Sequence, residues 1–357
     1  MARPTTHAGQ QAMSDDGLLR DVRRIFDDVG ALAERMQKGR FAESTRPLAA
    51  GRATDQMVEA TRRERARVVG RGIDGLGKLA EGREHDLDAE ERFGLRAIVL
   101  LEGRPAILIQ EGDFLAPPQG WSRLADRRED ICEVIARCGR IEVNGHLNLD
   151  WLGTAFLVAP ETLMTNRHVA QEFCARDGDS WRFRPGITTR VDFLRELGST
   201  AALEFEITEA IGIHERHDLA LLHVDGASAD GQALPEPLAV AAAEPVDLFD
   251  RDVYVVGYPA LDSRRNEPEP IRRIFADVYD VKRLQPGKAV AYSTEYSAVQ
   301  HDCSTLGGNS GSPVVELDGN QVIGLHFGGR YGVGNYAVPL WQLVDDPLLR
   351  RGDLNFQ

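Results

Sequence analysis

Short apolar segments follow one another from about residue 139 to residue 343, and glycine, proline, asparagine or aspartate separates them. Segments this short, rich in valine, isoleucine and leucine, are typical of strands in a β-sandwich or a β-barrel. Residues 226–246 are rich in alanine and proline, which favours a connection between two β halves. The strand-like segments include 154–158, 163–165, 219–224, 253–256, 314–316 and 322–326.

The region of residues 14–94 has a helical pattern, and residues 1–13 before it read as a disordered leader. Apolar side chains recur there at three- and four-residue spacings after Ser14, a typical N-cap residue, up to a stop near Gly39. A second helical stretch covers residues 54–76, although four glycines weaken its end. Such amphipathic helices pair with each other, pack on the rest of the chain, or bind another protein.

Residues 95–133 connect the helical region to the strand-like region. Residues 97–101 and 106–110 are short apolar runs rich in isoleucine, valine and leucine. Glu-Gly-Arg-Pro at 102–105 reads as a turn, so the sequence predicts a β-hairpin. Residues 126–136 read as a short linking helix.

The composition and the net charge of the chain disfavour some classes of function. The 357 residues have a formal net charge of -14, which disfavours binding to nucleic-acid phosphates. No signal sequence or membrane-spanning stretch is recognisable, so we expect a cytoplasmic protein without a membrane partner. The cysteines are expected to be free thiols, with a disulfide between the first two as the alternative. They are Cys132, Cys138, Cys174 and Cys303.

Three islands of sequence carry residues that suit nucleophilic catalysis. The first leads through Gly153 to Asn-Arg-His168, the second is His-Asp218-Leu-Ala-Leu-Leu, and the third is Gly-Gly-Asn-Ser310-Gly-Ser-Pro. Each island alone is weak evidence, because a Gly-Asn-Ser-Gly segment is most often only a turn. The order histidine, aspartate, serine is far more specific.

The chemistry of acyl transfer assigns a role to each of these residues. A serine hydroxyl such as that of Ser310 is a weak nucleophile until a base removes its proton, and His168 suits that role. A carboxylate at Asp218 fixes the tautomer of the imidazole. The glycine-rich turn supplies an oxyanion hole from Gly308, Asn309 and Ser310, with the N–H groups of Gly308 and Ser310 as the two donors.

These islands resemble those of trypsin-like (chymotrypsin-fold) serine peptidases over about residues 134–345. The resemblance implies a mainly β fold of two antiparallel six-stranded β-barrels, at about 134–230 and 246–343. In this arrangement the α-helical N-terminal region and the hairpin precede the barrels. His168 and Asp218 come from the first barrel and Ser310 from the second, in the cleft between them.

Two departures from the animal members of that family have consequences. Asn309 stands before Ser310, where digestive members have an aspartate that pairs with a newly cut N-terminal amine. Asparagine has no charge for such a pair, so we predict that activity does not require cleavage. Asn166 and Arg167 before His168 move the match towards bacterial members, including the glutamyl-endopeptidase-like group.

The resemblance also implies which residues contact substrate. Ser304 and Thr305 match the wall of the pocket for the residue before the scissile bond (P1), and no aspartate sits at its base. His326 and Thr305 match residues that face an acidic side chain in the glutamate-specific relatives. A histidine and hydroxyls can bind a carboxylate by charge-assisted hydrogen bonds. The alternative is that His326 is a barrel residue without substrate contact.

The segment after His326 matches the family's substrate-binding strand. The backbone of Phe327, Gly328 and Gly329 then pairs with the substrate as an added β-strand. The remaining histidines have no acidic or cysteine partners at metal-ligand spacing, so no metal or cofactor is expected.

The sequence therefore predicts a serine endopeptidase that acts on protein or peptide substrates, with a possible acidic P1 preference. A silent peptide-binding scaffold and a serine esterase are the alternatives. The N-terminal helices are either a regulatory module that docks a partner protein or a structural wrap around the barrels.

Overall fold

The computed structural model describes residues 15–26, 28–38, 55–260, 278–330 and 334–357. The predicted leader and the predicted helix ends at Ser14, Gly39 and Thr54 lie outside these residues. The α-helices are α1 (Asp15–Ile25), α2 (Val29–Gln37), α3 (Asp55–Ala80), α4 (Ala89–Ile98), α5 (Arg123–Asp126), α6 (Arg128–Ala136), α7 (Arg167–Phe173) and α8 (Pro347–Arg351). The strands are β1 (Ile107–Gln110), β2 (Asp113–Phe114), β3 (Cys138–Asn144), β4 (Trp151–Ala159), β5 (Thr162–Thr165), β6 (Cys174–Asp177), β7 (Ser180–Phe183), β8 (Thr188–Asp192), β9 (Glu204–Ile213), β10 (Ala220–Val224), β11 (Asp252–Gly257), β12 (Arg283–Ser293), β13 (Ala298–His301), β14 (Pro313–Glu316), β15 (Gln321–Arg330) and β16 (Gly334–Pro339).

Two antiparallel barrels contain most of these strands. The first closes in the order β10-β5-β4-β3-β8-β9. The second runs β11-β14-β15-β16-β13-β12 and closes because β11 also pairs with β12. The prediction of two six-stranded antiparallel barrels preceded by a helical region is confirmed.

A shared core joins the barrels to the segment that precedes them. Ile131 and Ile135 of α6 are fully buried with Phe156 of the first barrel and Tyr254 of the second. Burial of apolar side chains is worth about 25 cal/mol per Å², so this segment is an integral part of the fold. The side chain of Lys282 crosses the same interface and donates to the carbonyls of Ile135 (2.8 Å) and Phe193 (2.6 Å).

The N-terminal helices form a separate core, and here the sequence-based prediction is corrected. The single helix predicted up to Gly39 is two helices, because Asp28 caps a new helix by accepting from the N–H of Ala31. The second predicted helix continues to Ala80 despite its glycines. At Gly72 a Cβ atom would lie 2.5 Å from the backbone of Gly94, so these glycines allow α3 and α4 to cross in close contact.

The predicted hairpin of residues 97–101 and 106–110 is wrong in its first arm. Residues 89–98 form α4, and a π-helical turn, Val99–Gly103, continues it. The second arm is strand β1, which pairs instead with β2 and with β12 of the second barrel. A short apolar run does not distinguish a strand from a buried helix. No helix among the described residues is long and apolar enough to cross a bilayer.

Candidate active site

His168 lies in the first turn of α7, directly after strand β5. Its ring Nδ1 is 2.6 Å from Oδ2 of Asp218, and its backbone N–H donates to Oδ1 at 2.9 Å. This two-point contact uses Nδ1 and leaves Nε2 as the nitrogen available for a proton from a nucleophile. The structure therefore brings together the predicted base and its carboxylate.

The environment of Asp218 keeps its carboxyl ionised. Burial works against the charge, but the hydrogen bonds from the ring and backbone of His168 and the charge of His168 outweigh it, so the pKa of Asp218 is lowered. A carboxylate at this position stabilises an imidazolium that forms at His168.

The turn that carries Asp218 is fixed from several sides. Asn166 Nδ2 donates to the carbonyl of Asp218 at 2.9 Å. His214 Nδ1 accepts from the N–H of His217 at 2.9 Å, and His214 Nε2 lies 3.0 Å from Asp346 Oδ2. His214 is thus a structural residue that ties the aspartate turn to the C-terminal segment.

The segment before Ser310 forms a tight turn. The N–H of Asn309 donates to the carbonyl of Leu306 at 3.3 Å, and Gly308 has φ +85°. A positive φ at the third position is the signature of a type II turn. A side chain at Gly308 would collide with the carbonyl of Tyr258 at 2.3 Å, so glycine is needed there twice over.

Two peptide units of this turn are oriented by hydrogen bonds to their carbonyls. Gly307 O accepts from the N–H of Ala260 at 2.5 Å, and Asn309 O accepts from the N–H of Ser312 at 3.0 Å. Because a trans peptide directs its C=O and N–H to opposite sides, the N–H groups of Gly308 and Ser310 point away from these contacts. Neither donates to another group within the described part of the chain.

Thr154 of strand β4 holds the Ser310 turn against the first barrel. Its N–H donates to Ser310 O at 2.9 Å, and its hydroxyl donates to Gly308 O at 3.0 Å. The hydroxyl also accepts from the N–H of Tyr258 at 3.3 Å, and the whole residue is buried. The sequence reasoning missed both Thr154 and Ala260, because their contacts join segments far apart in the chain.

Ser310 lies beside the His168 helix. A Cβ at Gly153 would lie 2.9 Å from Ser310 O and 3.0 Å from the side chain of Val169, which follows His168. No hydrogen bond joins the Ser310 hydroxyl to His168 among the described residues. Catalytic hydrogen bonds are often long in unliganded enzymes and tighten with substrate.

Asn309, directly before Ser310 in the chain, is fully buried. Its amide Nδ2 donates to the carbonyl of Leu306 at 3.4 Å, and its Oδ1 has no hydrogen-bond partner among the described residues. The side chain therefore reinforces the turn locally and forms no ion pair.

The pocket candidate His326 is buried and paired with His301. His326 Nδ1 and His301 Nε2 are 3.1 Å apart, and both residues are at most 2% exposed. Burial lowers the pKa of His301 to about 3 and that of His326 well below its usual value, so both rings are neutral. The N–H of His326 donates to Ser312 O at 2.9 Å and its carbonyl accepts from the N–H of Gly311 at 3.0 Å, so the pair lies beside the Ser310 turn.

Ser304 and Thr305 lie in the segment between β13 and β14, which has no strand ladder at these positions. Ser304 O accepts from Gln285 Nε2, and the Ser304 hydroxyl is buried without a partner in the described part of the chain. Thr305 is half-buried, and its N–H donates to Cys303 O at 2.9 Å.

Strand β15 contains the predicted substrate strand. Its pairing with β14 ends at Leu325, whereas Gly328 and Gly329 still pair with β16. Along Phe327–Gly329, the edge opposite β16 therefore has no strand partner among the described residues.

No cluster of metal-ligating side chains occurs in the described part of the chain.

Comparisons with known proteins agree with this geometry. Residues 153–325 match the family model of the trypsin-like peptidase domain. A probable serine protease of Lysobacter enzymogenes is 28% identical over 357 residues, covering 86% of this chain and 90% of the relative. A putative mitochondrial Do-like protease of Arabidopsis thaliana is 26% identical over 198 residues, covering 56% of this chain and 28% of the relative.

Solved structures with a similar course of the chain include the active form of the Rv3671c protease from M. tuberculosis. It is 18% identical, with a TM-score of 0.43 over 70% of this chain and 91% of that one. A serine endoprotease from Yersinia pestis is 17% identical, with a TM-score of 0.41 over 63% of this chain and 66% of that one. The segment that matches the family model contains all three islands, and the two barrels have the expected topology, so this part of the chain is similar to a trypsin-like peptidase domain.

Proposed function

We propose that this protein is a serine endopeptidase that forms an acyl-enzyme on Ser310. His168 takes the hydroxyl proton as Ser310 attacks the peptide carbonyl, and then protonates the leaving amine. Water, activated by the same imidazole, hydrolyses the ester and regenerates the hydroxyl. The observation that carries the proposal is the 2.6 Å contact between His168 Nδ1 and Asp218 Oδ2.

The oxyanion of the tetrahedral intermediate is assigned to the N–H groups of Gly308 and Ser310. Their peptide units are fixed before substrate arrives, since the carbonyls of Gly307 and Asn309 already accept hydrogen bonds. Fixed donors aimed at a developing charge cost no reorganisation during the reaction. The unpaired edge of Phe327–Gly329 supports addition of an extended substrate as a further strand.

A preference for acidic P1 residues is the finer part of the proposal, and the histidine pair supports it. His301 Nδ1 is buried without a partner among the described residues, and an orphaned acceptor costs less than an orphaned N–H. His301 Nε2 is therefore assigned as the donor to His326 Nδ1, which leaves a proton on His326 Nε2. A neutral imidazole in this tautomer can donate to a substrate carboxylate.

The nucleophile is tested with Ser310→Ala and a fluorophosphonate probe. The parent protein should be labelled and should cleave a casein digest, and Ser310→Ala should lose both properties. Ser180→Ala, which changes an exposed serine of β7, is the matched control. A Ser310→Ala protein that cleaves like the parent refutes the assignment, and a parent that is never labelled favours a silent scaffold. Faster turnover of esters with no peptide cleavage favours an esterase.

The P1 preference is tested with a proteome-derived peptide library. Cleavage should follow glutamate or aspartate, and His326→Ala should lower kcat/KM for a glutamate peptide about tenfold or more, as expected for a lost hydrogen bond to a charge. The same peptide with glutamine at P1 is the matched control substrate. Cleavage after arginine or large apolar residues, indifferent to His326→Ala, contradicts the idea.

A further inference from the structure

Asp302 is a buried acidic residue at the start of the pocket segment. It follows the last residue of β13 and precedes Cys303, Ser304 and Thr305 in the chain. Its side chain is only 7% exposed. One carboxylate oxygen, Oδ1, accepts from the backbone N–H of Lys288 at 2.6 Å, which fixes the carboxylate within the second barrel.

The other carboxylate oxygen faces two arginines of the N-terminal region. Arg24 Nη2 of α1 lies 2.7 Å from Asp302 Oδ2, and Arg104 Nη2, directly after the π-helical turn, lies 3.3 Å away. Asp21 of α1 lies 3.4 Å from each guanidinium, so two positive and two negative groups alternate. Arg104 is 14% exposed, which limits screening by water.

Arg24 keeps its charge in this cluster although burial removes water from its guanidinium. Burial of Arg24 works against its charge, but the attraction of Asp302 and Asp21 outweighs that cost and raises the pKa of the guanidinium. Removing one partner of a buried ion pair leaves the other partner as an uncompensated buried charge. Loss of the arginines therefore acts directly on Asp302.

The segment that follows Asp302 depends on isolated contacts. Residues 302–306 have no strand ladder. Cys303 O accepts from Asn335 Nδ2 at 2.6 Å, Ser304 O from Gln285 and Gly307 O from Ala260. These three contacts come from the second barrel, whereas the ion pairs at Asp302 come from the N-terminal region. Each isolated contact removes freedom from a stretch that no ladder orders.

We propose that Arg24 and Arg104 are positioning residues that hold the pocket wall and the oxyanion turn in register through Asp302. The N-terminal helical region is then an intramolecular support for the substrate site, in place of a structural wrap without functional effect. This inference rests on the proposed peptidase function. It predicts that residues 303–309 are held in one conformation by the charge of Asp302. A side chain of the same size without that charge should leave them less ordered.

Asp302→Asn and Arg24→Gln/Arg104→Gln test the proposal in the full-length chain. Asparagine keeps an oxygen for the N–H of Lys288, but it removes the charge and replaces the oxygen that faces the arginines with an N–H donor. Each variant should lower kcat/KM for a peptide substrate about tenfold, within the usual range of coupling between sites. Arg23→Gln is the matched control, because Arg23 lies on the same helix, is 56% exposed and pairs with Glu84 at 3.2 Å.

The decisive comparison is the variant that combines all three substitutions. If the arginines act through Asp302, adding Arg24→Gln/Arg104→Gln to Asp302→Asn should change kcat/KM less than twofold. Equal losses in both backgrounds, or parental activity of Arg24→Gln/Arg104→Gln, overturn the proposal. An unchanged midpoint of urea unfolding of the barrels separates positioning from global destabilisation.

Hydrogen exchange gives a readout that does not need catalysis. In a Ser310→Ala background, deuterium uptake of residues 303–309 should rise with Asp302→Asn and with Arg24→Gln/Arg104→Gln, and should stay at the parental level with Arg23→Gln. Unchanged uptake in both test variants refutes the positioning role even if the protein is a peptidase. Increased uptake in a protein that never cleaves peptides upholds the coupling and refutes the proposed function alone.

Discussion

The buried histidine pair predicts how the stability of the protein depends on pH. His301 has a pKa of about 3 in the folded protein, against an ordinary value of 6.5 in an unfolded chain. Between these values the unfolded state binds a proton that the folded state does not. The stability contributed by the neutral ring is therefore complete above pH 6.5 and is lost as the pH falls towards 3.

The magnitude follows from the two pKa values. Lowering the pH from 7 to 5 should cost the folded protein about 1.9 kcal/mol through His301 alone, and from pH 5 to pH 4 about 1.3 kcal/mol more, after which the loss levels off near pH 3. His326 should add to this loss, because burial and the neighbouring His301 also lower its pKa. His301→Gln removes one of the two contributions while its amide can still donate to His326.

The assay is urea unfolding at pH 7, 6 and 5, with tryptophan fluorescence as the readout. It uses a Ser310→Ala background, which prevents self-cleavage. The free energy of unfolding of His301→Gln should fall by about 1.9 kcal/mol less than that of the parent between pH 7 and pH 5. Val299→Ala on the same strand is the control, because it removes buried apolar atoms and no titrating group. Parallel pH profiles for the parent and His301→Gln would falsify the view that the ring is held neutral.

Three further changes test contacts that position the site or the fold. Thr154→Val should lower kcat about tenfold with little change in KM, because it removes a donor to the oxyanion turn, whereas Thr154→Ser should retain most activity in steady-state assays. Gly94→Ala should destabilise the N-terminal helical unit by about 2 kcal/mol in thermal unfolding, since its methyl group would meet backbone at 2.2 Å; Gly77→Ala, in open space, should not. Lys282→Met should lower the free energy of unfolding by about 3 kcal/mol because buried carbonyls lose their donor. The more exposed Lys288→Met should cost less than 1 kcal/mol in the same urea titration.

The sequence was sufficient to predict the barrels, and it also named the islands of the candidate site; the reason is local in both cases. A tight turn with a positive φ requires glycine at Gly308, and the nucleophile must follow that turn at a short spacing. The strands of a closed barrel are short apolar segments separated by turn residues, and each segment shows this pattern by itself. These features need no knowledge of distant residues.

The parts that sequence could not predict depend on contacts between distant segments. The apolar run at 97–101 is helical, and its residues Ile98, Val99 and Leu101 pack in the core that α1–α3 form, next to the crossing at Gly72 and Gly94. A strand at the edge of a sheet can have the same composition as this run, so composition alone does not distinguish the two structures. His301 gave no signal either, because only the pairing of β13 with β16 and of β16 with β15 places it beside His326.

The position of the charges bears on how such a site becomes ordered. Asn309, directly before Ser310, is neutral, so its side chain cannot form an ion pair with an amine that cleavage exposes. The buried carboxylate near the pocket is instead Asp302, and its guanidinium partners belong to the same chain from synthesis onward. We predict that a site ordered in this way needs no cleavage to acquire its counter-charge. Regulation would then act on the docking of α1 against the second barrel, because separation of Arg24 from Asp302 leaves a buried charge next to the pocket wall.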